Sequence, residues 1–145
     1  YHRFPGGKQE MAVSVVNAIG QGIERDVLGP LRQPGNPKTR VRKAAEAIAA
    51  FYEDGTKPCA LDTLSIAGDQ GEATLQALRA SYSALTDGFA GVAIEAGLKP
   101  KRARQRAARA VTLIEGALIV TRVSGDTTEF KRVIDELPTL LCSNA

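Results

Sequence analysis

The sequence predicts an all-α bundle of about six helices, and three observations carry that prediction. Apolar residues recur at steps of three and four along successive segments, the spacing that gathers them on one side of a helix. Between those segments stand glycine, proline and asparagine in the arrangements that start and stop helices. The 145 residues are one domain by size, long enough to bury roughly 70% of the unfolded chain's surface, so the stripes can share one core.

The first helix starts near Lys8. Pro5 disfavours helical geometry in the residue before it, and Gly6-Gly7 supply a tight turn. From Lys8 to about Asp26 a stripe runs through Met11, Val15, Ile19 and Ile23, widened by Ala12, Val16 and Val27. Gly20 and Gly22 loosen this helix or let a neighbour approach closely. Leu28-Gly29-Pro30 and Gln33-Pro34-Gly35 read as a connection. Asn36 then suits an N-cap and Pro37 the first helical position. Val41, Ala44, Ile48 and Phe51 mark the buried face of this second helix, Asp54-Gly55 its stop, and Lys38, Arg40, Arg42 and Lys43 a solvated face.

After Lys57-Pro58, the segment from Cys59 to Gly68 suits a short helix through Leu61 and Leu64, although Leu64 and Ile66 also fit strand alternation. From Gly71 to Ala96 runs the longest seam: Leu75, Leu78, Tyr82, Leu85, Phe89, Val92 and Ala96, with Gly88 and Gly91 beside it and Gly97 as its stop. The next helix opens with Lys99, Lys101, Arg102, Arg104, Arg106 and Arg109, the wrong sign for a helix N-terminus. Such a run suits either an anionic partner (DNA or acidic groups of a second subunit) or a plain solvated surface. Further on, Val111, Ile114 and Leu118 mark one apolar face, and Leu113, Gly116, Ala117 and Val120 a second. A helix apolar on two faces needs two partners, and another chain can be one. Gly125 ends it, Asp126-Thr127-Thr128-Glu129 reads as a capping box, and Phe130, Val133, Ile134 and Leu137 line a final helix that Pro138 ends or kinks.

Composition narrows the function classes. The net charge of +3 and pI near 9.0 are compatible with nucleic acid without being diagnostic. Five per cent aromatic content without tryptophan leaves little for base stacking, so an RNA-binding module is not expected. Charges or glycines interrupt every apolar run well short of the ~20 residues a membrane span needs, and no signal-peptide pattern stands at the start. Cys59 and Cys142 are far apart, so neither zinc nor a disulfide framework is suggested, and a reducing cytoplasm is the simplest setting. Cys59 can be a reactive thiol or an inert buried one. Catalysis has no support: His2 is the only histidine, no ligand cluster has metal spacing, and no cofactor motif follows a strand.

The opening stretch Tyr1-His2-Arg3-Phe4-Pro5-Gly6-Gly7-Lys8 resembles the Tyr-x-x-Phe-(Pro)-x-x-Lys signature that closes the DNA-recognition helix of TetR-family regulators. With Glu10 it is most similar to the branch containing LmrA and YxaF. A Cys-small-Leu segment at Cys59 and the run Ile114-Glu115-Gly116-Ala117-Leu118 resemble the same branch, the latter at its subunit interface. The resemblance implies that residues 1–5 are the remnant of a helix-turn-helix recognition helix whose preceding helices are missing, and that 7–145 form a ligand-binding and dimerisation domain. It implies operator phosphate contacts from Tyr1, His2 and Lys8, groups that can donate to phosphate oxygens.

By the same resemblance the last two helices pair with their copies into a two-fold dimer, through Leu113, Gly116, Ala117, Val120, Phe130 and Ile134. A small, largely apolar effector is expected among the helices carrying Phe51, Leu64, Tyr82, Leu85 and Phe89, residues that also suit plain core. The function expected is that of a transcriptional regulator, a repressor, with no cofactor. The alternative of another class is a dimeric all-α interaction module without a small ligand.

Overall fold

The computed structural model describes residues 3–66 and 71–144. The first helix, α1 (Gly7–Ile23), runs without a break through a π-helical turn, Glu24–Leu28, into the short α2 (Gly29–Leu31). Then follow α3 (Pro37–Phe51), α4 (Ala60–Ile66), α5 (Glu72–Glu95), α6 (Pro100–Ser124) and α7 (Thr128–Cys142). With the rod from α1 to α2 counted once, the described residues form six helices and no strand.

Local chemistry accounts for most helix ends. Asn36 caps α3 through its side-chain oxygen, which accepts from the backbone N–H of Lys38 at 2.9 Å and of Thr39 at 3.3 Å. Gly97, at φ +103°, closes α5 in a Schellman motif: its own N–H donates to Ile94 O and the N–H of Leu98 to Ala93 O. Gly125 ends α6 in the left-handed region. The capping box at α7 is only half formed. Asp126 Oδ1 accepts from the Thr128 N–H at 2.9 Å; Glu129 turns to Arg132 instead of reaching back, and the Asp126 N–H donates to Ser124 Oγ.

Three expectations are corrected. The predicted connection at Leu28-Gly29-Pro30 is helix, because the π turn sends the Gly29 N–H to Glu24 O, a wider spacing that admits a proline with no N–H to give. This turn also drives Val27, Leu28 and Leu31 into the core, while Met11 and Val15 of the predicted stripe remain exposed. Of the two outcomes expected at Pro138, the stop is not realised: the helix runs through it to Cys142. Arg40, expected on a solvated face, is buried. It donates to Leu31 O at 2.8 Å and pairs with Glu95, fastening the start of α3 to the ends of α2 and α5.

The topology places α1 and α5 side by side and parallel, since Gln9 touches Gly71 at one end and Leu28 touches Gly88 at the other. The helices α5, α6 and α7 follow as successive neighbours, and α3 packs on α7. The core between them is built on Val41, Phe89, Phe130, Leu137 and Leu141, all essentially without exposed surface. In the α6–α7 hairpin the start of α6 lies beside the end of α7. Arg106 donates to Leu140 O at 2.8 Å and Arg102 to Asn144 O at 3.2 Å. Positive charge that opposes the dipole of α6 thus serves the C-terminus of α7, where carbonyls lack helix partners and cations are favoured.

Gly55 is a tight point of the core, closed by a rigid ring. Its φ is +96°, and a Cβ built there would meet the Phe130 ring 2.8 Å away. Gly55→Ala is expected to cost roughly 2–4 kcal/mol in urea denaturation, combining left-handed strain with overpacking. Gly91→Ala, in the middle of α5 with nothing within 4 Å of the new methyl group, is expected to stabilise by about 0.5–1 kcal/mol.

Candidate ligand groove

Three helices wall an open groove of about 660 Å³, a volume within the range of small-molecule sites. From α4 come Leu61, Asp62 and Ser65; from α5 Leu75, Leu78, Arg79 and Tyr82; from α6 Val111, Thr112, Glu115, Gly116 and Ile119. Each set falls at helical steps of one, three and four, so each helix turns one continuous strip toward the groove. The walls are chiefly aliphatic. Gly116 leaves the α6 wall low, since no atom lies within 4 Å of where its Cβ would stand.

A short polar chain runs inward from this groove. The Cys59 thiol donates to Glu115 Oε1 at 3.1 Å, and the Tyr52 hydroxyl lies 3.4 Å from Cys59 Sγ. Glu115 lines the groove on one side and, on the other, an inner void of about 20 Å³ shared with Phe51, Tyr52, Leu85 and Ile114. Burial, reinforced by the Glu115 charge, pushes the Cys59 thiol up to about 11. Burial also raises the Tyr52 hydroxyl, with Cys59 and Glu115 adding to the effect. Glu115 itself is raised, first by burial and further by the like charge of Asp62, against the thiol hydrogen bond that lowers it. Asp62 has a counter-ion in Arg122, 2.7 Å away. Arg79 has one in Glu72 at 3.3 Å.

Residues 37–136 match the family model described as transcriptional regulator LmrA/YxaF-like, C-terminal domain. The chain belongs to this family of TetR-type regulators. The fold of this LmrA/YxaF-like domain is also that of the crystal structure of a TetR transcriptional regulator from Legionella pneumophila, with a TM-score of 0.81 at 20% identity, over 97% of this chain and 76% of that one. A search of curated proteins finds no match.

Of the residues expected at the effector site, Tyr82 stands on the groove wall. Phe51 and Leu85 line the inner void, Phe89 is fully buried in the core, and Leu64, half-buried on α4, lines neither cavity. Lys8 is exposed in the first turn of α1, and Tyr1 and His2 lie outside the described residues. On α6 Gly116 and Val120 are exposed and Leu113 half-buried. Ala117, Phe130 and Ile134, by contrast, face the chain's own core: Phe130 has no exposed surface and packs edge-on against Tyr52. The side chains that sequence reasoning missed are Tyr52 and Val123, the latter 82% exposed on α6. Glu115, read only as part of an interface motif, turns inward to Cys59. A thiol and a carboxylate 56 residues apart carry no periodic signal of their meeting.

Two outcomes check this chemistry. Cys59, buried and with its thiol near 11, is expected to react with an alkylating agent at neutral pH roughly 100-fold more slowly than the same thiol in unfolded protein. Peptide mapping after native and denatured labelling reads this directly. Glu115 is raised above its ordinary 4.5, so its charged form costs stability once the pH passes the folded value, and the cost is absent below the unfolded one. Glu115→Gln keeps an acceptor for Cys59. It is expected to melt above wild type at about pH 8 and to lose that advantage as the pH falls toward about 4.

Proposed function

We propose that this domain is the effector-sensing and dimerising body of a cytoplasmic TetR-like repressor. The observation that carries the reading is the groove itself: it is walled by α4, α5 and α6, and α5 lies parallel to α1 along its length. A small, largely apolar effector held against Leu61, Leu75, Leu78 and Tyr82 pushes on α4 and α5. Because Gly71 meets Gln9 and Gly88 meets Leu28 at close range, displacement of α5 is passed to α1, which carries Lys8 at its start. In this proposal residues 1–5 close a recognition helix, Tyr1, His2 and Lys8 hold operator phosphates, and tilting α1 changes the spacing of the two DNA-binding heads.

Dimerisation in this reading uses the outward strip of α6, with Leu113, Gly116, Val120 and Val123. Val120 is 47% and Val123 82% exposed, a pair of bare valines on a helix whose other face is already in the core. Phe130 and Ile134, buried in the chain's own core, support the hairpin from within. The basic start of α6 stands at the end of α5 remote from Lys8. As α5 has 24 residues, about 36 Å of helix separates that charge from the phosphate contacts proposed for Lys8.

Two experiments test the reading. In a thermal-shift screen of apolar small molecules, ligands present at about a hundredfold excess over Kd are expected to raise the melting temperature by roughly 5 °C or more. Leu78→Trp, which fills the groove, is expected to abolish the shift; ligands that bind the two proteins alike would place the effector elsewhere. The double substitution Val120→Asp, Val123→Asp is expected to turn a dimer into a monomer in sedimentation velocity, and an unchanged dimer would remove the α6 strip from the interface.

A further inference from the structure

The charges around the groove are unequally provided for. Asp62 has Arg122, and Arg79 has Glu72 at the rim, where both partners are largely exposed. Glu115 stands in no ion pair among the described residues. Its Oε1 accepts from the Cys59 thiol, a weak donor, and the like charge of Asp62 acts against its charged form. It is half-buried where aliphatic side chains of α4, α5 and α6 converge, so it keeps only part of its water. A carboxylate placed this way costs stability unless something else in the groove satisfies it.

We propose that the effector is an amphipathic amine, whose apolar body lies between α4 and α5 and whose protonated nitrogen donates to the Glu115 carboxylate. This deepens, and rests on, the reading of the groove as the effector site. Charge complementarity selects the class. An anionic head group at Glu115 meets two carboxylates, Asp62 and Glu115, while Arg79 is held at the rim by Glu72. A neutral head group covers the aliphatic walls and leaves the carboxylate without a counter-charge. An ammonium group supplies both charge and donors, and a charge-assisted hydrogen bond is among the strong ones.

Three probes with one body and different heads test this: phenylbutylamine, phenylbutanol and phenylbutyrate, titrated into the purified protein by calorimetry at low salt. The amine is expected to bind about tenfold or more tightly than the alcohol, and the carboxylate more weakly than either. In Glu115→Gln the amine is expected to lose its advantage over the alcohol. Equal affinities for amine and alcohol in the wild-type protein, or an amine preference that survives in Glu115→Gln, overturn the amine proposal and leave the groove as effector site. Binding of none of the three overturns both. The wild-type comparison needs no variant, and the melting curve of Glu115→Gln verifies that the substituted protein is folded.

Discussion

The hydrogen bond from Cys59 to Glu115 is the contact on which the arrangement of the site depends. It ties the entrance of α4 to the middle of α6, and through Tyr52 it reaches the end of α3. A second polar contact, the Asp62–Arg122 ion pair, also joins α4 to α6, whereas the core beneath is held by apolar packing, which is strong and not directional. A buried thiol and phenol and the half-buried carboxyl beside them satisfy one another, and that requirement helps set α4 over α6. The groove exists on the outer side of this contact and the closed core on its inner side. The thiol and the phenol are neutral near pH 7 and burial holds them so; of these three groups the carboxyl is the one able to carry charge there.

The remaining scaffold holds α1 against α5 and closes the far end of the bundle. Gly71, just before α5, and Gly88 within it let the rod from α1 to α2 approach within contact distance, and the buried Arg40 clamps the ends of α2 and α5 to the start of α3. A helix seated this closely at both ends has little freedom to slide independently of its neighbour. The α6–α7 hairpin is fastened in a different way, by arginines of one helix satisfying the last carbonyls of the other. Its outward valines, Val120 and Val123, are apolar surface that the chain itself does not cover.

Much of the fold was legible in the sequence. The helices of α3, α5 and α6, their Asn36, Gly97 and Gly125 boundaries, and the buried positions Val41, Ile48, Leu85, Phe89, Val111 and Ile114 follow from period and capping alone. Local rules failed where a neighbour overrode them: at Gly29-Pro30, where a π turn removed the proline's difficulty, and at Arg40, where a backbone carbonyl and a carboxylate received the guanidinium. The candidate site was less legible. Tyr82 reaches it, whereas Phe89 on the same seam is core, because period tells which face a residue occupies and not whether the facing space is filled.

By itself, then, the sequence determined the helices, most of their ends and, through short motifs at Cys59 and Glu115-Gly116, the family. Each of those depends on interactions within a few residues or on a run of characters that can be recognised in isolation. Only the tertiary structure decided that the Cys59 and Glu115 motifs are two halves of one contact, that the arginines of α6 belong electrostatically to α7, and that a groove opens beside Glu115. These depend on which helices lie against each other across dozens of residues, and that is settled by the joint packing of the core rather than by any segment alone.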